Sequence, residues 1–191
     1  MQKEDNIIEF SFERIDTTSY PLDSVRSHYQ EVFDKYFKLL YPDLGVVKLN
    51  FLNLNYAKYS HEKGEMVEDY HVDNYGIKEL LPHSNNLQVS CKDLKGYTIF
   101  DFFIYGQNNC CGASSVSRTS IIPKYKNKRL GEILQYLKED ITKVKGMTLM
   151  TCTDVFNKEC NKDTDLSTLI PYLPNTKLLL KTGWEVSKLF Y

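Results

Sequence analysis

The chain has 191 residues, enough to bury a substantial core as one domain. Hydrophobic residues at 42% and charged residues at 26% are ordinary globular usage, and a formal net charge of −1 argues against a general nucleic-acid binder, which needs uncompensated Lys and Arg. Fourteen Tyr and ten Phe against one Trp favour aromatic-rich sheet packing, and no apolar run approaches the length of a membrane span.

The first expected element is a strand at 7–15, where Ile8, Phe10 and Phe12 alternate with polar residues and define one buried face. From 22 to 40, apolar residues return at steps of three and four (Val25, Tyr29, Val32, Phe33, Tyr36, Phe37), which predicts an amphipathic helix ended by Pro42-Asp43. Residues 46–58 read as extended, with Val47, Leu49 and Phe51 alternating with Lys48 and Asn50. Residues 60–86 are polar and acidic and read as a long functional loop, with a short helix-like piece at 77–81.

A β meander is expected from 87: a strand at 87–93, a turn at 94–96, an aromatic strand at 97–105, a turn at 106–109 and a strand at 113–122. Residues 121–131 then read as a strand end, a cationic loop and a helix start. Lys124, Lys126, Lys128 and Arg129 fall within six residues. The first amides of a helix lack internal partners and the helix dipole is positive there, so this junction is a seat for a multiply charged anion. The helix behind it buries Leu130, Ile133, Leu134, Leu137, Ile141 and Val144, and Gly146 suits its left-handed C′ position. A short strand at 147–152 completes a βαβ unit. A polar loop at 154–165, a helix at 175–181, Gly183-Trp184 and a closing strand at 185–191 follow. We read 1–191 as a single domain, with an N-terminal substrate-side part (1–86), a core (87–153) and a C-terminal part (154–191).

This succession resembles the GNAT family of acyl-CoA-dependent N-acyltransferases, most specifically over 113–153, less so over 175–191, and only in element order before 87. The family's signature loop has Arg or Gln, two variable residues, Gly, one variable residue, then Gly or Ala. An aliphatic residue, a spacer, proline, a spacer and tyrosine commonly precede it. Ile121, Pro123, Tyr125, Lys126, Lys128, Leu130 and Gly131 fall in that register, with Lys126 in place of the leading Arg or Gln and Arg129 in place of the first glycine.

The resemblance implies an α/β (α+β) GNAT-like fold, a mixed and mostly antiparallel central sheet of about six to seven strands flanked by helices. It implies acetyl-CoA as co-substrate, held by the backbone of Ile121 and Ile122 and by Lys126, Asn127, Lys128, Arg129, Leu130 and Gly131. The acceptor would be a primary amine on a small molecule or peptide. Leu179-Leu-Lys-Thr-Gly-Trp184 resembles the family's C-terminal motif, with Leu179 at the place of the tyrosine proposed to protonate the leaving thiolate. A catalytically degenerate GNAT-like module that binds acyl-CoA or a protein partner is the alternative.

A lysine-like amine is neutral in only about one molecule in 10³ at pH 7, a cost of roughly 4 kcal/mol, so the reaction needs a base or a desolvated pocket. The strand before the loop holds Ser114-Ser115-Val116-Ser117 and no carboxylate. The expected arrangement is Ser115 ordering a water, with Asp154 as the distant carboxylate. His71 with Asp73 is another candidate base, and Glu65, Glu68, Asp69 and Asp73 could receive a cationic acceptor. The five cysteines, at 91, 110, 111, 152 and 160, show neither a disulfide framework nor a zinc spacing, so no metal is expected. A soluble, cytoplasmic protein with reduced thiols is the expectation, and the edge of its closing strand could pair with a second copy to form a homodimer.

Overall fold

The computed structural model describes residues 10–14, 21–60, 62–63, 65–81, 86–106, 113–116, 119–126, 128–150 and 174–184. Helix α1 (Leu22–Leu40) leads through a 3-10 turn (Pro42–Leu44) to strand β1 (Lys48–Asn53). Two hairpins follow, β2 (Ala57–Ser60) with β3 (Glu65–Glu68) and β4 (Tyr70–Val72) with β5 (Lys78–Leu80). Next come β6 (Leu87–Lys92), β7 (Thr98–Gly106), β8 (Ala113–Val116), β9 (Ser120–Ile121), a 3-10 turn (Pro123–Tyr125), α2 (Leu130–Val144), β10 (Thr148–Met150) and α3 (Pro174–Lys181).

The architecture is mixed α+β around a mostly antiparallel sheet. Its six described strands run in the order β1-β6-β7-β8-β10, with β9 also paired to β7. Only β8 and β10 are parallel, with Ala113, Ser114 and Ser115 opposite Thr148, Leu149 and Met150. A parallel neighbour requires a crossover, and α2 supplies it.

The core joins the buried stripes of α1 and α2 to β1, β6 and β7. Val25, Tyr29, Val32, Phe33, Tyr36 and Phe37 of α1 are all buried, as their spacing requires. Phe33 lies 5.1 Å from Phe100 of β7, and Phe37 meets Tyr125 edge-on at 5.6 Å. Each such ring contributes roughly 1.5–3 kcal/mol by leaving water. Leu87, Val89 and Cys91 of β6 complete the layer, and burial pushes the Cys91 thiol well above its ordinary range.

Two sequence expectations are corrected. Within the strand expected at 7–15, the described residues 10–14 belong to no ladder. Phe10 and Phe12 do pack on the core while Ser11 and Glu13 face out, so the alternation is real, but helices rather than a strand receive it. Arg129 of the loop donates to the Phe10 carbonyl at 3.0 Å, and His28 of α1 lies 2.8 Å from the Glu13 carbonyl. Residues 10–14 thus form an extended strap over α1 and α2.

The expected loop at 60–86 contains β3, β4, β5 and the last residue of β2, and 78–80 is strand rather than helix. The turn explains it: the Asp73 carboxylate accepts from the Tyr75 and Ile77 amides at 2.9 and 2.8 Å, and Gly76 takes φ 79°. That reversal sets Tyr70, His71 and Val72 opposite Leu80, Glu79 and Lys78. The closing strand at 185–191 and the loop at 154–165 lie outside the described residues.

Candidate functional site

The cationic loop joins the end of β9 to the start of α2. The Ile122 amide donates to the Ile99 carbonyl at 3.0 Å, and its own carbonyl accepts from Tyr125 at 3.0 Å, so the Ile122 backbone is committed. Antiparallel ladders alternate inward-facing and outward-facing residues. Ile121, opposite Phe100, therefore turns its N–H and C=O away from β7, toward an edge that no described strand pairs.

Aromatic side chains from α1 and from Tyr41 at its C-cap hold the loop. Tyr125 is buried, with Tyr41 edge-on at 4.8 Å. The Tyr36 hydroxyl donates to the Lys128 carbonyl at 2.5 Å, and Tyr41 donates to the Lys124 carbonyl at 3.3 Å. Carbonyl and N–H of one trans peptide point in opposite directions. Tyr36 thus draws the Lys128 carbonyl inward and turns the next amide outward.

Arg129 is the N-cap of α2 and takes φ 62°, ψ 2°; no other described non-glycine residue has a positive φ. This left-handed conformation costs an L-residue about 1–2 kcal/mol and favours glycine. It occurs where the GNAT signature has its first glycine. Glu132 donates its amide back to the Arg129 carbonyl at 3.0 Å, while the Leu130 and Gly131 amides meet no acceptor among the described residues. Those two donors, at the positive end of a 15-residue helix, face the loop.

The charges are arranged around Glu132. Arg129 grips it with two nitrogens, at 3.2 and 3.1 Å, and Lys181 of α3 reaches it at 2.9 Å. The hydrogen bond from Arg129 and that from Lys181 hold the Glu132 carboxyl below its usual range, against the opposing effect of burial. The Arg129 guanidinium is therefore engaged by Glu132 and the Phe10 carbonyl. Lys128 lies over the Tyr41 ring at 4.9 Å and Lys124 over Tyr125 at 5.5 Å, while Lys126 is exposed and makes no ion pair among the described residues. Asn127 lies outside the described residues.

Helix α3 brings the C-terminal motif to the same end of α2. A Cβ on Gly131 would stand 3.2 Å from a Leu178 methyl, so glycine here serves close helix approach. Gly183 takes φ 89°, the Trp184 amide donates to Leu179 at 3.0 Å and the Gly183 amide to Leu180 at 3.2 Å, a Schellman cap. The Gly-Trp pair thus has a helix-ending role. Leu179, on α3, offers no acid.

Of the expected catalytic groups, Ser115 lies on β8 between Tyr105 of β7 and Met150 of β10, inside the parallel pair. Asp154 lies outside the described residues. His71 is exposed on β4, and the Asp73 carboxylate is committed to its turn. Asp69 is buried against Lys58 at 2.7 Å, whereas Glu65 and Glu68 are exposed.

Three groups escaped the sequence reading. Tyr36 and Glu132 gave only helical-stripe and first-turn signals. Lys138 carried a signal that was passed over, since it falls four residues after Leu134 and three before Ile141, on the buried stripe. Its ammonium donates to Thr119 Oγ1 at 2.6 Å, lies 5.3 Å from the Phe102 ring, and burial lowers its pKa to about 8. A separate surface cavity of about 480 Å³ lies toward the C-terminal end of α2, where Trp184 donates to Glu139 at 2.6 Å.

Among the described residues, no group of three or more His, Cys, Asp or Glu is placed to hold a metal ion, and no helix is long and apolar enough to cross a membrane. Set against known proteins, the chain matches no family model and no curated protein.

Proposed function

We propose that the chain has a GNAT-like fold and transfers an acetyl group from acetyl-CoA to a primary amine on a small molecule or peptide. The observation that carries this reading is the left-handed Arg129 at the head of α2: the backbone bends like glycine at the signature's glycine position, directly before the Leu130 and Gly131 amides, which meet no acceptor among the described residues. Those amides and the exposed Lys126 are the groups that would meet the coenzyme diphosphate. The outward-facing backbone of Ile121 and the parallel β8–β10 pair favour passage of the pantetheine arm along that edge. Chemistry requires the neutral acceptor nitrogen to attack the thioester carbon, the C–S bond to break and the amine proton to leave for solvent or a base. Ser115 and Asp154 remain our candidates for ordering a water that carries that proton.

The degenerate reading is favoured by two observations. The Arg129 side chain is bound to Glu132 rather than turned to the anion seat, and Leu179 supplies no proton to a departing thiolate. Thiol release from acetyl-CoA, with and without a panel of polyamines, aminoglycosides, amino acids and peptides, separates the two. Amine-dependent release supports transfer, and binding without release supports the degenerate module. Lys126→Glu reverses an exposed charge and should weaken coenzyme A binding by about tenfold, roughly 1.4 kcal/mol, without lowering the melting temperature of the free protein. Unchanged affinity removes the loop from the site.

A further inference from the structure

Lys138 is the one lysine on the core-facing stripe of α2, four residues after Leu134 and three before Ile141. Its ammonium donates to Thr119 Oγ1 at 2.6 Å and stands 5.3 Å from the ring of Phe102 on β7. Both partners are neutral. Among the described residues, Lys138 makes no ion pair.

The packing explains why no carboxylate answers it. On α2, the residues one turn to either side are Leu134, Gln135, Ile141 and Thr142, all uncharged. The adjacent Glu139 is drawn to Arg14 and Trp184, and Asp140 to Arg14 and Tyr29. The sole carboxylate of β7, Asp101, precedes Phe102 and so lies on the opposite face of the strand. From Thr119 to Ile122 no residue is charged.

An ammonium so placed has exchanged its water for one hydroxyl and one ring, so burial favours the neutral amine and lowers its pKa to about 8. A desolvated lysine amine is an activated nucleophile. It is not sealed in: Lys138 and Thr119 are half-buried and Ser120 is exposed, so the amine lies at the margin of the core. The surroundings also select the product. A Schiff base forms through an iminium cation, which would return a positive charge to a place that excludes it. An amide is neutral and keeps one N–H for Thr119 Oγ1. We propose that Lys138 is a site of covalent acylation and takes the acyl group of a small thioester. The neutral Nζ attacks the thioester carbonyl carbon, the C–S bond breaks, and the departing thiolate takes up the proton that nitrogen loses. An amide and a free thiol result, with no charge left against the core.

The test treats the full chain with S-acetyl-N-acetylcysteamine and follows the acetylation of each lysine by peptide mass spectrometry. At pH 8 about half of the Lys138 amine is neutral, against about one part in 250 of an ordinary lysine amine. A less basic nitrogen is a weaker nucleophile, which takes back part of that advantage. Lys138 should therefore label about tenfold faster than the exposed Lys126 at pH 8. Its rate should level off above about pH 8.5, while that of Lys126 keeps climbing toward about pH 10.4. In urea the two rates should converge. Labelling of Lys138 no faster than Lys126 in the folded protein at pH 8, or a Lys138 rate that climbs in step with Lys126, overturns the proposal. The probe carries no nucleotide, so the outcome is separate from coenzyme A binding at the loop.

Discussion

Arg129 concentrates two opposed demands in one residue. Its backbone sits where glycine is favoured, while its side chain ties Glu132 and the Phe10 carbonyl to the loop. Arg129→Ala keeps the backbone strain and loses the ties; Arg129→Gly loses the ties and sheds the strain. The glycine variant should therefore be more stable than the alanine variant by about 1 kcal/mol in urea denaturation. Alanine equal to or better than glycine would mean that position 129 is not left-handed. If the loop holds a diphosphate, the glycine variant should also bind coenzyme A several-fold more tightly than wild type, because no Cβ stands beside the approaching oxygens.

Helices were the legible elements because their apolar spacing is long and redundant. The stripes of α1 and α2 and the C-terminal Gly146, which takes φ 66° and closes a second Schellman cap, follow from sequence directly. Residues 10–14 show the limit: alternation predicts which side chains are buried but not whether a neighbouring strand exists. The hairpins at 57–80 were missed because their faces are mostly exposed, which removes the polar–apolar contrast that reveals a strand. Of the candidate site, the cationic junction was visible, but the Glu132 clamp was not, since it joins residues 49 apart.

Lys138 belongs to this scale too, as the one lysine on the buried stripe of α2. Its pKa near 8 lies below the ordinary lysine value of about 10.4, so between those limits the folded chain binds fewer protons than the unfolded chain. Stability then rises with pH: the penalty is complete below about 8 and gone above about 10.5. Lys138→Met should stabilise by about 2 kcal/mol at pH 7, after the lost Thr119 hydrogen bond, and the gain should fade toward pH 10.5 in pH-resolved urea melts. A gain that does not change with pH would contradict the burial of that ammonium.

At the scale of the molecule, one carboxylate joins three pieces of chain. Asp140 of α2, 1% exposed, accepts from the Tyr29 hydroxyl of α1 at 2.6 Å and from Arg14 of the strap. Burial and the neighbouring carboxylate push the Tyr29 hydroxyl far above its usual range, so it remains a donor at every ordinary pH. Asp140→Asn should cost about 2–3 kcal/mol in urea denaturation, because two donors lose a charged acceptor inside the packed layer. Glu139→Gln, at the half-buried rim beside Arg14, should cost less.

The props of the cationic loop come from far away along the chain: the Phe10 carbonyl is 119 residues from Arg129, and the Tyr36 hydroxyl 92 residues from Lys128. Contacts of such separation close late, after the intervening segments have organised. A nascent polypeptide released before both props engage would have its lysines but no shaped cradle for them. Any anion that recognises the cradle would bind finished molecules alone, and so would act as a chemical chaperone in proportion to its concentration over its dissociation constant.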